Sequence, residues 1–130
     1  AVVCGFGKVD GRMVCSAAYD FTVKGGSIGH TGEEKVTRLR KMALSGRWPI
    51  VWFVDSAGAR IDPSSGGGDM LSTFASSGHL FREQVLMSGV VPQVTAMVGP
   101  GAAGTADRAG AKVSLLLPLE LRRGAAGDPL

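Results

Sequence analysis

The stretch "WPIVWFVD", Trp48–Asp55, is a continuous apolar run of β-branched and aromatic residues that ends in a carboxylate. Such a run is typical of a strand in a parallel sheet, because both faces of that strand are covered. Segments with helical periodicity lie on either side of it, "TGEEKVTRLRKMALSG" before and "MLSTFASSGHLFREQVLMSG" after. A strand between two helices predicts an α/β fold with crossover connections.

The helix before this strand is predicted over Thr31–Gly46. Thr31 and Glu34 have the spacing of a capping box, and Gly46 is a helix stop. Its inner face follows the helical repeat: Val36, Leu39 and Ala43. The basic cluster "VTRLRK", Val36–Lys41, is interpreted as a solvated helix face.

The second helix is predicted over Met70–Gly89, with Gly89 as its stop. Its inner stripe is Leu71, Phe74, Gly78, Phe81 and Val85. Two more strands are expected after it, in "VVPQVTAMV" (Val90–Val98) and "AKVSLLLPLEL" (Ala111–Leu121), with a short helix between them.

The beginning of the chain predicts a β-hairpin, because Asp10-Gly11 separates the apolar runs "AVVCGFGKV" and "MVCSAAYDFTV". A glycine-rich loop, Lys24–Gly32, follows. Cys4 and Cys15 lie in these runs without a C-x-x-C pair, so we expect two buried thiols, with a cross-strand disulfide as the alternative and no zinc site.

Two loops follow predicted parallel strands, Ser56–Asp69 and Gly99–Thr105, and ligands collect at that edge of such sheets. The second loop, in "VGPGAAGTAD", matches the dinucleotide pattern G-x-G-x-x-G at Gly99, Gly101 and Gly104. A dinucleotide-binding domain is therefore one alternative, although Pro100 removes a backbone donor.

The same loop has a second interpretation, because "GAAGT" places small residues at the start of a helix. Free amides there favour negative charge, as in an oxyanion hole. In a third interpretation the glycines have no role in binding and only allow tight turns and close helix–sheet packing. The Ser56-x-Gly58 of "DSAG" resembles a nucleophile elbow, but Val54 stands where its first glycine belongs.

Composition excludes several classes. The 130 residues are 45% hydrophobic and 19% charged, which indicates one globular domain. A net charge of +3 with 6% aromatic residues does not suit a nucleic-acid-binding surface. We also expect no membrane span and a cytoplasmic protein, because no apolar run is long enough and no signal peptide is recognised. The first residue is not methionine, so the chain is expected to be part of a longer protein.

Four motifs in order carry a family resemblance. They are "FTVKGGSIGHTGEEKVTRL", "DSAGARI", "SGHLFREQVLMSGVVPQV" and "VGPGAAGTA". Together they resemble the carboxyltransferase (β) subunit of biotin-dependent acyl-CoA carboxylases, of the propionyl-CoA carboxylase type. The resemblance spans about Gly5–Ala106. It implies a partial N-terminal carboxyltransferase domain in residues 1–106, whereas residues 107–130 do not match the family.

The resemblance implies a crotonase-like (ClpP/crotonase) α/β fold, a superhelix of ββα units present here as a partial domain. The family moves a carboxyl group from carboxybiotin, delivered on a carrier protein, to the α-carbon of an acyl-CoA. Ala103 and Gly104 would supply the backbone oxyanion hole, with alanine at a position where relatives often have glycine. The implied substrate-binding residues are Gly58, Ala59, Arg60, Gly101 and Ala102.

The resemblance also implies partners: an acyl-CoA substrate, a biotin carboxylase with its biotin carrier subunit, and further copies of the chain. Biotin is the implied cofactor, and no metal is expected. Because biotin acts as its own base in this family, the lack of an obvious general base is expected. Alone, the chain is expected to be inactive, and a non-catalytic remnant remains the other alternative.

Overall fold

The computed structural model describes residues 1–60, 79–101 and 113–116, with backbone alone at 79–81 and 113–116. The elements in chain order are β1 (Val2–Val9), β2 (Arg12–Tyr19), a 3-10 turn (Lys24–Gly26), α1 (His30–Gly46), β3 (Ile50–Ser56), α2 (His79–Met87), β4 (Gln93–Gly101) and β5 (Val113–Leu116). The short helix expected after residue 101 and most of the Ser56–Asp69 loop lie outside the described residues.

The five strands form one mixed sheet in the order β1-β2-β3-β4-β5. β1 and β2 are antiparallel, and each following pair is parallel. Asp10 and Gly11 have φ values of 48° and 78°, which are those of a tight hairpin turn. The predicted hairpin and α/β layering are therefore confirmed.

The second strand ends at Tyr19 rather than continuing to Val23 as expected. The Asp20 carboxylate accepts hydrogen bonds from the Thr22 amide (2.9 Å) and hydroxyl (2.6 Å), which turn the chain away from the sheet. These bonds hold the pKa of Asp20 below its usual value.

The core lies between the sheet and the two helices. Its fully buried apolar strand residues are Cys15, Ile50, Trp52 and Val54. The predicted inner face of α1 is confirmed, because Val36, Leu39 and Ala43 are all buried.

The predicted stripe of α2 is wrong at Val85, which is 72% exposed. Glu83 and Met87, four residues apart, face inward instead, so Val85 lies on the other side of the helix. Gly89, with a φ of 79°, follows the end of this helix as predicted.

The capping box predicted for α1 is wrong, because the helix begins at His30. Gly29 is the N-cap in extended conformation and makes no side-chain cap bond; the Glu33 amide donates to its carbonyl oxygen (2.9 Å). Thr31 therefore lies inside the first turn, where it cannot cap. At the other end Gly46 is the last helical residue, and Arg47 adopts the left-handed conformation that terminates α1.

The basic cluster of α1 is only partly solvated, because Arg40 is 1% exposed. Its Nη1 donates to Glu33 Oε1 at 2.8 Å, and its guanidinium lies 5.4 Å from the ring centre of Trp52. A paired and stacked guanidinium tolerates burial, which the charge pattern did not reveal. Arg38 and Lys41 are exposed as expected.

Both cysteines are free thiols. Cys15 is buried as predicted, and its burial raises the pKa of the thiol. Cys4 is half-buried, so its prediction was wrong in degree. Within the described ranges, none of the helices combines the length and the apolar character that crossing a membrane requires.

Candidate functional site

The candidate site lies where β3 and β4 end side by side. Ser56, the last residue of β3, pairs with Gly101, the last residue of β4. The register shifts between Val54, which pairs with Met97, and Ser56, so the pairing of the two strand ends is irregular. As predicted for a parallel sheet, the segments that leave these two strands begin at the same edge.

Two of the three glycines in the G-x-G-x-x-G pattern belong to a strand, not to a turn. β4 begins at Gln93 and continues through Gly99 and Gly101, beyond the predicted end at Val98. A Cβ on Gly99 would overlap the carboxylate of Asp55 on the neighbouring strand. Glycine here permits close strand contact, whereas a dinucleotide fingerprint needs these residues in the turn after the strand. The dinucleotide alternative therefore loses its structural basis.

The segment after β3, residues 57–60, carries three of the predicted site residues and packs against the glycine-rich loop before α1. The Ala57 amide donates to the Gly25 carbonyl oxygen (2.9 Å), and the Ile28 amide donates to the Gly58 carbonyl oxygen (2.8 Å). The Arg60 amide in turn donates to the Ile28 carbonyl oxygen (2.8 Å). Ile28 and Ala59 thus form a parallel bridge.

The amides of Gly58 and Ala59 differ in how they are used. The Gly58 amide donates to Ser56 Oγ at 3.1 Å, so the serine of the Ser-x-Gly motif is a hydrogen-bond acceptor in this segment. The bonds to Ile28 use the residues on either side of Ala59, so its own amide faces away from Ile28. Within the described part of the chain, that amide donates to no acceptor.

Gly26 lets the glycine-rich loop approach the end of β3. It is buried, has a φ of 63°, and would place a Cβ into the Asp55 carbonyl group. Only glycine combines that backbone conformation with that contact. Asp55 thus contacts this loop through its main chain and β4 through its side chain.

Arg60 connects the site segment to the same loop through its side chain. Its Nε donates to Ser27 Oγ (3.0 Å) and its Nη2 donates to the Ser27 carbonyl oxygen (3.1 Å). The guanidinium borders a cavity of about 320 Å³ at the start of α1, which Ser27, Gly29, His30 and Lys35 also line.

Ala102, Ala103 and Gly104 lie outside the described residues, and Gly101 is the last residue before them. Sequence reasoning missed Ser27 and Ser56 as supports of the site. The Ser-x-Gly spacing was the available signal for Ser56, since a serine hydroxyl often bonds the amide two residues on. Across residues 1–60, 79–101 and 113–116, we find no cluster of three metal-ligating side chains.

The family follows from comparison with known proteins. The carboxyl transferase domain model matches residues 1–108. The chain belongs to the carboxyl transferase family. The predicted family and the crotonase-like fold are thereby confirmed.

Curated relatives of this carboxyl transferase are carboxylases and decarboxylases. The propionyl-CoA carboxylase carboxyltransferase subunit of Haloferax mediterranei is 44% identical over 103 residues, which are 79% of this chain and 19% of the relative. Methylmalonyl-CoA decarboxylase subunit alpha of Veillonella parvula is 40% identical over 103 residues, with the same shares. The chain spans about a fifth of the length of these relatives.

Solved structures agree with that assignment. Transcarboxylase 12S, with methylmalonyl-coenzyme A and methylmalonic acid bound, superposes with a TM-score of 0.76 and 31% identity over 99% of this chain and 26% of that chain. The geranyl-CoA carboxylase β subunit of P. aeruginosa superposes with a TM-score of 0.70 and 28% identity over 92% of this chain and 24% of that chain.

Proposed function

We propose that this carboxyl transferase domain belongs to the carboxyltransferase component of a biotin-dependent acyl-CoA carboxylase. The reaction would transfer a carboxyl group from carboxybiotin to the α-carbon of an acyl-CoA such as propionyl-CoA. The observation that carries the proposal is the Ala59 amide, which faces away from Ile28 just beyond the paired ends of β3 and β4, with Gly58 before it and Arg60, held by the glycine-rich loop, after it. The names of the relatives supply the substrate class.

The chemistry needs hydrogen-bond donors at the thioester oxygen. When the α-carbon loses its proton, negative charge develops on that oxygen, and a fixed N–H donor stabilises it by about 3 kcal/mol. We assign the Ala59 amide to this oxygen, with the amides of Ala103 and Gly104 as further donors argued from sequence. Gly58, Gly101 and Ala102 would shape the approach of the acyl group. When bound, carboxybiotin would supply the carboxyl group, and by the family resemblance the ring nitrogen left after that group departs would take the proton from the α-carbon.

The described residues fit a carbonyl ligand on chemical grounds, because a backbone N–H donor next to a glycine suits a compact polar oxygen. A single donor of this kind suits the ureido oxygen of biotin as well as a thioester oxygen. We assign it to the thioester oxygen, and a comparison of propionyl-CoA with biotin as ligands separates the two.

The partners are proposals on the same basis. We infer an acyl-CoA substrate, a biotin carboxylase with a biotin carrier subunit, and assembly with further copies, in a cytoplasmic complex. Residues 1–106 would form part of the N-terminal carboxyltransferase domain, and residues 107–130 a segment that does not match the family.

The test is a thermal melt of the chain with propionyl-CoA, free CoA, biotin or NAD. A ligand that binds only the folded state stabilises it by about 2.7 kcal/mol at a hundred times its dissociation constant. We expect the largest rise in midpoint with propionyl-CoA, a smaller one with CoA and none with NAD. A shift with NAD, or with biotin in place of propionyl-CoA, would contradict the assignment.

A non-catalytic remnant is the second candidate, and exposed apolar residues favour it. Val3, Phe6 and Val85 are 68%, 58% and 72% exposed. Surfaces of this kind are normally covered in a larger assembly. The melt with propionyl-CoA distinguishes the two. A cooperative transition that propionyl-CoA shifts to higher temperature indicates that the acyl-CoA site is present, whereas a broad or unshifted transition indicates the remnant.

A further inference from the structure

We propose that Arg60 is a positioning residue that acts through Ser27 and does not touch the acyl-CoA. Its task is to hold the segment after β3 so that the Ala59 amide faces the thioester oxygen. This inference rests on the proposed function, and it assigns a role to Ser27 that the family resemblance did not suggest.

The hydrogen bonds enclose Ala59 from both sides. On one side the Gly58 carbonyl oxygen accepts from the Ile28 amide (2.8 Å). On the other side the Arg60 amide donates to the Ile28 carbonyl oxygen (2.8 Å), and the Arg60 side chain donates twice to Ser27. Main chain and side chain of one residue therefore bind two successive residues of the glycine-rich loop. The direction of the Ala59 amide depends on that register.

The Arg60 guanidinium is held against the glycine-rich loop. It is half-buried, and a Cβ on Gly29 would come within 2.9 Å of its Nη1, so the backbone at position 29 lies close beneath it. Two of its nitrogens already donate to Ser27, at 3.0 and 3.1 Å. The planar fork of arginine makes both bonds at once, whereas a lysine ammonium does not reproduce that geometry.

The experiment measures the preference for the thioester. Dissociation constants for propionyl-CoA and for free CoA are determined by calorimetry, because free CoA has the same nucleotide but no carbonyl group. We expect Ser27→Ala and Arg60→Lys each to raise the dissociation constant for propionyl-CoA, relative to that for CoA, about fivefold to tenfold. The dissociation constant for CoA should stay within about twofold of the wild-type value. The double variant should be no worse than Arg60→Lys, because both changes break the same contact.

The controls are Arg38→Lys and Ser45→Ala, which change exposed residues of α1. They should leave the ratio unchanged. Melting midpoints of all variants are recorded. Where Arg60→Lys unfolds the chain, Ser27→Ala still tests the contact, because it removes a single hydroxyl.

Three results would overturn the role. Equal weakening of CoA and propionyl-CoA in Arg60→Lys, with a changed salt dependence, would place Arg60 on the CoA phosphates. A wild-type preference that persists in both single variants would remove the positioning role alone. A wild-type chain with no preference for the thioester would refute the proposed function itself.

Discussion

Replacing Arg40 with methionine is expected to destabilise the protein by about 3 kcal/mol, although the change lies on a helix. Methionine is a shorter, unbranched and uncharged side chain, so the substitution removes the ion pair of 2.8 Å that Arg40 makes with the Glu33 carboxylate, which is 4% exposed. Removing one member of a buried ion pair costs about 3–5 kcal/mol, because a buried charge remains uncompensated. The stacking of Arg40 on Trp52, at 5.4 Å, is lost as well.

A loss of about 3 kcal/mol raises the unfolding equilibrium constant roughly a hundredfold. For a chain of this size it lowers the melting midpoint by about 10 °C. The assay is urea denaturation followed by circular dichroism, with the slope checked so that midpoints are comparable.

The matched control is Arg38→Met, two residues earlier on the same helix and exposed, for which we expect a change within about 0.5 kcal/mol. The double variant Glu33→Leu with Arg40→Met should recover most of the loss, because it removes both charges together. If Arg40→Met is no more destabilising than Arg38→Met, the buried pair does not have the assigned energetic role.

Three smaller predictions concern the hairpin and loops. In denaturant titrations Gly26→Ala should destabilise the protein more than Gly11→Ala. Both alanines would adopt a left-handed backbone conformation, which costs each about 1–2 kcal/mol. Only the Cβ at position 26 would overlap a carbonyl group of β3, because nothing lies within 4 Å of a Cβ at position 11. Equal losses would argue against that contact. A thiol reagent should modify Cys4 before Cys15, because burial shields the Cys15 thiol and raises its pKa; equal rates would contradict this. The pKa of Asp20 is lowered in the folded state, so ionised Asp20 stabilises the fold at pH values above about 3.8, its pKa in the unfolded chain. This contribution is lost as the pH falls through the lower pKa of the folded state. Asp20→Asn should therefore flatten the acid limb of the stability curve, and an unchanged limb would refute the linkage.

Periodicity and turn chemistry predicted most of the fold. The Asp10-Gly11 hairpin, the inner face of α1 and the presence of a strand at Ile50–Ser56 are all local consequences of residue pattern. The prediction that both faces of this strand are covered is wrong at Phe53, which is 40% exposed. The errors arise where distant residues decide. Arg40 is buried because Glu33 and Trp52 receive it, and a charge count along one helix cannot show the partner on a strand.

The candidate site was predictable in its location but not in its supports. Parallel strands placed Gly58, Ala59 and Gly101 at one edge, which the sequence pattern indicated. The pairing of Arg60 with Ser27 joins residues 33 positions apart, so no local spacing reveals it. The capping prediction failed for a related reason, because the chain enters α1 from a loop that is fixed by the segment after β3.

The described strands lie side by side in the order in which they leave the ribosome. The hairpin can form first and offers β2 as a template when β3 emerges, and β3 then does the same for β4. The longest connection among the first three strands runs from Tyr19 to Ile50 and contains α1. Because a helix rises only about 1.5 Å per residue, α1 reduces the end-to-end distance of this connection. Since loop-closure entropy grows slowly with length, each addition meets a modest barrier. A sheet assembled in this sequence is suited to folding during synthesis, one strand at a time.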